Sequence, residues 1–165
     1  MTSLVLHSYS PNETRRIGVS LGCRIKAGDI LLLIGDLGTG KTCLVQGIAK
    51  GLGIKGYVRS PTFVLVSIHQ GRIPLYHIDI YRLNQAAEVL DLGIEEYLAG
   101  EGVSVIEWAD KALEVFPESC LMVTLVFEEE NQRLLKFDPC GERYEELVLQ
   151  LQEDSGKYRS PRERK

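Results

Sequence analysis

The sequence contains no apolar run that approaches the ~18–20 residues needed to cross a membrane. Residues 1–7 also lack the basic segment and long apolar stretch that mark a signal peptide. We therefore expect a cytoplasmic protein that makes no contact with a membrane.

Cysteine is scarce, and none of the four cysteines belongs to a C-x-x-C pair. This spacing favours neither a zinc site nor a thioredoxin-type redox motif. We expect Cys23, Cys43, Cys120 and Cys140 to be reduced thiols, as is usual in the cytoplasm.

Charge is unevenly distributed along a chain whose net charge is −4. Residues 155–165 contain five basic side chains and one acidic one, which leaves a net charge of −8 on the preceding 154 residues. An acidic body argues against a domain that grips nucleic acid over a broad face. We predict one folded domain over residues 1–152 and a basic, disordered tail over residues 153–165. The alternative for the tail is contact with RNA or with an acidic partner.

Apolar patterns predict alternating strands and helices. In residues 29–34, Asp29 is followed by five consecutive apolar residues, a run typical of a strand buried on both faces of a parallel sheet. Ser10, Pro11 and Glu13 have the chemistry of a helix start, and we predict that Gly22 ends this helix after residue 21.

The remaining segments complete an α/β pattern. We predict short strands at residues 4–6 and 103–106, a helix after residue 42, hairpins of residues 62–68 with 73–80 and 121–127 with 134–137, helical residues 85–98 broken near Gly93, and a closing helix at residues 143–151. Together these strands and helices predict a three-layer α/β domain, a P-loop NTPase fold with a mixed, partly parallel sheet.

Residues 35–42, GDLGTGKT, fit the phosphate-binding pattern G-x-x-x-x-G-K-[ST] (the P-loop) at every fixed position. Glycine lets the backbone N–H groups approach phosphates closely, and the following helix directs its positive N-terminus at the anion. We predict that Lys41 reaches the β- and γ-phosphates of ATP and that Thr42 ligates Mg²⁺. The predicted nucleotide-binding residues of the loop are Gly35, Asp36, Leu37, Gly38, Thr39, Gly40, Lys41 and Thr42.

A second acidic residue is expected at the end of a neighbouring strand, where it would hold the metal. Glu107 follows the apolar run of residues 103–106 and is the stronger candidate, whereas Asp36 inside the loop is a weaker one. Trp108 comes next and is a plausible wall of the same site.

Two further segments contain polar residues that are candidates for the same site. His77, Asp79 and Tyr81 share one face at strand periodicity, and Asp79 could position water or accept its proton. An edge strand with one solvated face is the alternative interpretation. Thr62 offers a hydroxyl in a loop that meets the γ-phosphate in many P-loop enzymes. The predicted catalytic residues are Lys41, Thr62, Asp79 and Glu107.

Other P-loop classes can be compared with the sequence. The [NT]-K-x-D segment with which GTPases read guanine is missing, and the arginines are scattered rather than clustered as in a kinase lid. A small-molecule kinase is nevertheless the alternative to an ATPase. A third hypothesis is a nucleotide-binding module without turnover.

Four motifs together resemble the bacterial TsaE (YjeE) family: GDLGTGKT at 35–42, SPTF at 60–63, HIDIYRL at 77–83 and IEWADK at 106–111. The match covers about residues 4–148. The resemblance implies an ATPase required for threonylcarbamoyladenosine modification of tRNA, with Mg²⁺ on Thr42 and Glu107 and Asp79 beside the γ-phosphate. It also implies adenine contacts near Thr14 and Arg133. Partners of the TsaB and TsaD types are implied, with ATP turnover resetting their complex and tRNA reached through it.

Overall fold

The structure, a computed structural model, describes residues 2–156. A single seven-stranded sheet organises this part of the chain, in the order β1-β7-β6-β2-β5-β4-β3. Its strands are β1 Leu4–Ser8, β2 Ile30–Ile34, β3 Val66–His69, β4 Leu75–Asp79, β5 Val103–Glu107, β6 Cys120–Glu129 and β7 Gln132–Cys140. The helices are α1 Pro11–Arg24, α2 Lys41–Gly51, α3 Ala86–Asp91, α4 Ile94–Leu98 and α5 Glu142–Ser155, with a kinked 3₁₀ helix at Ala109–Val115.

The sheet is parallel in its centre and antiparallel at its margins. Strand β2 pairs in parallel with β5 and β6, and β4 pairs in parallel with β5. The pairs β1–β7, β6–β7 and β3–β4 are antiparallel. Because β2, β5 and β4 run in one direction, their carboxyl ends meet at one edge of the sheet, where α/β proteins place their ligand sites.

Two hydrophobic cores cover the two faces of the sheet, which confirms the predicted three-layer fold. The first packs α1, α2 and α5 on alternate residues of the central strands, including Leu31, Leu33 and Val105. The second packs α3, α4 and the 3₁₀ helix on the intervening residues, such as Leu32 and Ile106. Buried residues on both faces explain the continuous apolar run in β2.

Helix α1 begins as predicted but does not end at Gly22. The Ser10 side chain accepts a hydrogen bond from the Glu13 N–H, and the helix continues to Arg24. The prediction was wrong because Gly22 serves a helix contact: a Cβ placed on it would lie 2.2 Å from the Ile48 carbonyl oxygen of α2. Its missing side chain therefore allows α1 and α2 to pack closely.

Several predicted boundaries also shift. The first hairpin is shorter than predicted, because Leu65 has a left-handed φ of 68° and residues 62–65 form a turn before β3 begins at Val66. The second hairpin is longer, and the break near Gly93 is confirmed by its left-handed φ of 72° between α3 and α4. Helix α5 runs to Ser155, past the predicted boundary at residue 152, and the tail from residue 157 lies outside the described residues.

Within residues 2–156, no helix has the length and apolar character needed to cross a membrane.

Candidate active site

The P-loop connects the carboxyl end of β2 to the first turn of α2. Gly38 and Gly40 have φ values of 81° and 99°, the left-handed conformation that residues with a Cβ rarely adopt. Gly40 caps α2 without a side chain, so the first N–H groups of the helix face the space above the loop. Backbone of this geometry is of the kind that binds anions in other proteins.

Lys41 folds back onto the loop. Its Nζ donates hydrogen bonds to the Gly35 and Asp36 carbonyl oxygens, at 2.5 and 2.9 Å, and lies 4.0 Å from the centroid of the Trp108 ring. The residue is 5% exposed. Burial lowers the pKa of Lys41 below its ordinary value, while the nearby carboxylates of Glu107 and Asp79 oppose that shift.

Thr42 and Glu107 meet across the gap between α2 and β5. Strand β5 lies beside β2 with Glu107 opposite Leu33, which brings its side chain below the first turn of α2. The Thr42 hydroxyl donates to Glu107 Oε1 at 2.9 Å. A hydroxyl and a carboxylate are hard oxygen ligands of the type that Mg²⁺ prefers, so this pair fits the predicted metal site.

Asp79 ends β4, next to Glu107 across the β4–β5 pair, and is 1% exposed. Its Oδ2 accepts hydrogen bonds from the Ser60 and Thr62 hydroxyls at 2.9 and 3.0 Å, and its Oδ1 accepts one from the Tyr81 N–H at 2.9 Å. The 60–63 segment is therefore tied to the same carboxylate that we predicted to act on water.

These groups line one cavity of about 400 Å³. Trp108 forms part of its wall as predicted, with the ring centroid of Tyr81 at 4.8 Å. The backbone of Trp108 has a left-handed φ of 64°. Non-glycine residues in this conformation cluster at functional sites, because the surrounding structure must hold them there.

A second cavity of about 270 Å³ adjoins the loop and contains both predicted adenine contacts, Thr14 and Arg133. Thr14 is buried and its hydroxyl is hydrogen-bonded to Ser8 Oγ at 2.7 Å, so it presents its methyl group towards Gly40. Arg133 Nη2 donates to the Gly38 carbonyl oxygen at 3.1 Å. The two distant residues thus flank one face of the P-loop.

Comparison with known proteins identifies the family of the chain. A family model described as threonylcarbamoyl adenosine biosynthesis protein TsaE matches residues 8–135. The chain belongs to the TsaE family.

Individual relatives extend the match to most of the chain. It is 40% identical over 152 residues to the tRNA threonylcarbamoyladenosine biosynthesis protein TsaE of Bacillus subtilis (strain 168), covering 92% of this chain and 95% of that protein. The protein of the same name from Nostoc sp. (strain PCC 7120) is 41% identical over 141 residues, covering 82% and 86%. The crystal structure of Bacillus subtilis YdiB superimposes with a TM-score of 0.82 at 35% identity, covering 92% and 95%.

The structure of this TsaE-family chain also places at the candidate site residues to which no role was assigned from the sequence. His77 points at Glu107, with 2.6 Å between Nε2 and Oε2, and Ser60 joins Thr62 on Asp79. Cys43 lines both cavities. Their motifs were visible in the sequence, but the sheet order that makes β4 and β5 neighbours was not.

Two predicted loop residues, Asp36 and Leu37, are exposed to solvent. The Asp36 carbonyl oxygen accepts hydrogen bonds from Lys41 and from the Thr39 hydroxyl, and Asp36 itself is exposed. The Leu37 side chain is 83% exposed at the mouth of the larger cavity. Glu107, rather than Asp36, is therefore the carboxylate that faces Thr42.

Proposed function

We propose that this chain is a magnesium-dependent ATPase of the cytoplasm, required for threonylcarbamoyladenosine modification of tRNA together with TsaB- and TsaD-type partners. The observation that carries the proposal is the pair formed by Thr42 Oγ1 and Glu107 Oε1 at 2.9 Å, directly beside a glycine-rich loop and Lys41. A hydroxyl–carboxylate pair, a glycine-rich loop and an ammonium group meet at one edge of the sheet.

The proposed ATP site spans both cavities. The N–H groups of the loop and the Lys41 ammonium group would hold the phosphates, which requires Lys41 to exchange its two carbonyl partners for phosphate oxygens. Thr14 and Arg133 would border the adenosine moiety in the smaller cavity. Mg²⁺ on Thr42 and Glu107 would neutralise charge that develops on the phosphates.

Asp79 would act on the attacking water. Its carboxylate is buried at the end of β4 and lines the same cavity as Lys41 and Thr42. The hydroxyls of Ser60 and Thr62 hold one of its oxygens, so movement of their loop would free that oxygen to orient water and accept its proton. Movement of the loop at residues 60–63 would thereby be coupled to ATP hydrolysis through the Asp79 side chain.

In this proposal, a partner supplies an arginine to the larger cavity. Among the described residues that line the larger cavity, none is an arginine. An arginine finger supplied by a partner accelerates P-loop hydrolysis by about 10³–10⁵-fold. The relatives are named as tRNA threonylcarbamoyladenosine biosynthesis proteins, which supports partners from that pathway and an indirect relation to tRNA.

The experiment follows the label of γ-³²P-ATP in the presence of Mg²⁺. The proposal predicts slow release of labelled phosphate to water by the isolated protein, and faster release after addition of the TsaB–TsaD pair. Transfer of the label to a small molecule would support a kinase instead. Binding of ATP with neither release of phosphate nor transfer of the label would support a nucleotide-binding module without turnover.

A further inference from the structure

A buried histidine, His77, contacts the carboxylate of Glu107 at the proposed metal site. His77 is 0% exposed, and its Nε2 lies 2.6 Å from Oε2 of Glu107, the oxygen that Thr42 does not use. The two carboxylate oxygens of Glu107 therefore have separate partners on opposite sides. Thr42 contacts one from α2, and His77 contacts the other from β4.

The strand arrangement makes this contact rigid. His77 lies opposite Val105 in the parallel β4–β5 pair, and Asp79 lies opposite Glu107 two positions further along. Both strands lie inside the sheet and pair continuously with each other, so backbone hydrogen bonds fix the positions from which the His77 and Glu107 side chains extend. A side chain held at both ends by packing and hydrogen bonding is pre-organised for its ligand.

The position itself favours an apolar residue. Alternate residues of β4 and β5, such as Leu75 and Val105, belong to the core beneath α1 and α2. His77 occupies the next place on that face, and its Nδ1 is buried without a hydrogen-bond partner among the described residues. Burying a polar atom without a partner destabilises a fold, so packing alone does not explain a histidine at this place.

The unpartnered atom also indicates the tautomer. A hydrogen on Nδ1 would be a buried donor without an acceptor, whereas a hydrogen on Nε2 points at Glu107 Oε2. The tautomer with its hydrogen on Nε2 leaves the fewest hydrogen-bonding groups unmatched.

We propose that His77 is a positioning residue for the metal site: through its Nε2–H it fixes the carboxylate of Glu107 so that Oε1 faces Thr42 and the cation. This inference deepens the proposed function and rests on it for the identity of the cation. Loss of the donor leaves Oε2 without a partner and lets the carboxylate rotate away from Thr42. Partners of this kind typically contribute 10–100-fold to metal affinity or activity.

The first test needs neither nucleotide nor metal. In protein labelled with ¹⁵N-histidine, NMR should show His77 with hydrogen on Nε2 and a bare Nδ1, and Glu107→Ala should shift the Nε2 resonance. A His77 ring with its hydrogen on Nδ1, or a resonance indifferent to Glu107→Ala, overturns the proposal.

The second test compares two amides at one position. His77→Gln can place an N–H near the position of Nε2, whereas the shorter His77→Asn cannot. We expect calorimetry of ADP binding at increasing Mg²⁺ to show that His77→Asn needs 10–100-fold more Mg²⁺ than wild type to reach half of the Mg²⁺-dependent change in ADP affinity. In EDTA, the ADP affinity of His77→Asn should be within twofold of that of wild type. His77→Gln should recover most of the loss.

The matched control is His69 on the neighbouring strand β3, whose Nε2 is also buried without a partner among the described residues. His69→Gln and His69→Asn should leave the Mg²⁺ requirement unchanged. Equal Mg²⁺ requirements for His77→Asn and wild type overturn the positioning role. If wild-type ADP binding does not respond to Mg²⁺ at all, the proposed function fails, and the NMR experiment still decides the His77–Glu107 contact.

Discussion

Gly47→Ala tests how the contact between α1 and α2 supports the site. A Cβ on Gly47 would lie 2.1 Å from the Arg15 carbonyl oxygen and 2.8 Å from the carbonyl carbon of the same residue. Ordinary contacts to a Cβ begin at 3.4 Å, so one helix must retreat by about 3.4 − 2.1 = 1.3 Å. Because the clash is with backbone, no side-chain rotation relieves it.

The expected cost follows from this displacement. Overpacking of this kind destabilises by about 1–3 kcal/mol, and the better helix propensity of alanine offsets up to about 1 kcal/mol. A net loss of about 1–2 kcal/mol lowers the melting temperature of a domain of this size by roughly 2–8 °C. Thr14 precedes Arg15 on α1 and borders Gly40, so we also expect ADP affinity to fall.

Thermal unfolding followed by circular dichroism measures the effect, and Gly156→Ala is the control. Gly156 has a φ of −58°, and a Cβ there meets nothing within 4 Å. We expect Gly156→Ala to stay within about 0.5 kcal/mol of wild type. Equal stability of Gly47→Ala and Gly156→Ala would refute the close packing of the two helices.

Three further predictions concern the cavities. Lys41→Ala should weaken ATP binding at least tenfold, about 1.4 kcal/mol, measured by calorimetry against Lys50→Ala, which removes an exposed cation from the same helix. The emission of Trp108, the single tryptophan, should change when ATP and Mg²⁺ draw Lys41 off its ring, and a flat titration with proven binding would contradict this. In thiol labelling read by mass spectrometry, ATP should protect Cys43 but not the exposed Cys23. Cys120 should react slowly in either state, because burial raises its pKa to about 11 and leaves roughly a hundredfold less thiolate at pH 8 than an ordinary cysteine has.

Much of the fold could be predicted because local chemistry is strong in this chain. The run that forms β2, the P-loop and the start of α1 each combine a pattern with a specific physical need. Gly22 misled the prediction because a glycine that ends a helix and one that admits a neighbouring helix are alike in sequence. The strand order was not predictable either, since pairing of β2 with both β5 and β6 depends on contacts far apart along the chain.

The candidate site, too, could be predicted only in part from the sequence. Residues 35–42 form one local motif, so the sequence alone predicts each of them as part of the site. Glu107 could be placed at a strand end, and the resemblance implied roles for Thr14 and Arg133. The hydrogen bonds from His77 to Glu107 and from Ser60 to Asp79 depend on which strands and loops become neighbours. Their partners lie 30 and 19 residues away in the sequence, and no local pattern encodes that distance.

The most direct test of the central claim is phosphate release from ATP by wild type and by Glu107→Gln, each with and without Mg²⁺. Glu114→Gln serves as the control, because it makes the same change at an exposed place on the 3₁₀ helix. The account predicts Mg²⁺-dependent release by wild type and Glu114→Gln, and release by Glu107→Gln reduced at least tenfold, with ADP still bound in EDTA. Equal release by Glu107→Gln and wild type would contradict the assignment of the metal to Thr42 and Glu107.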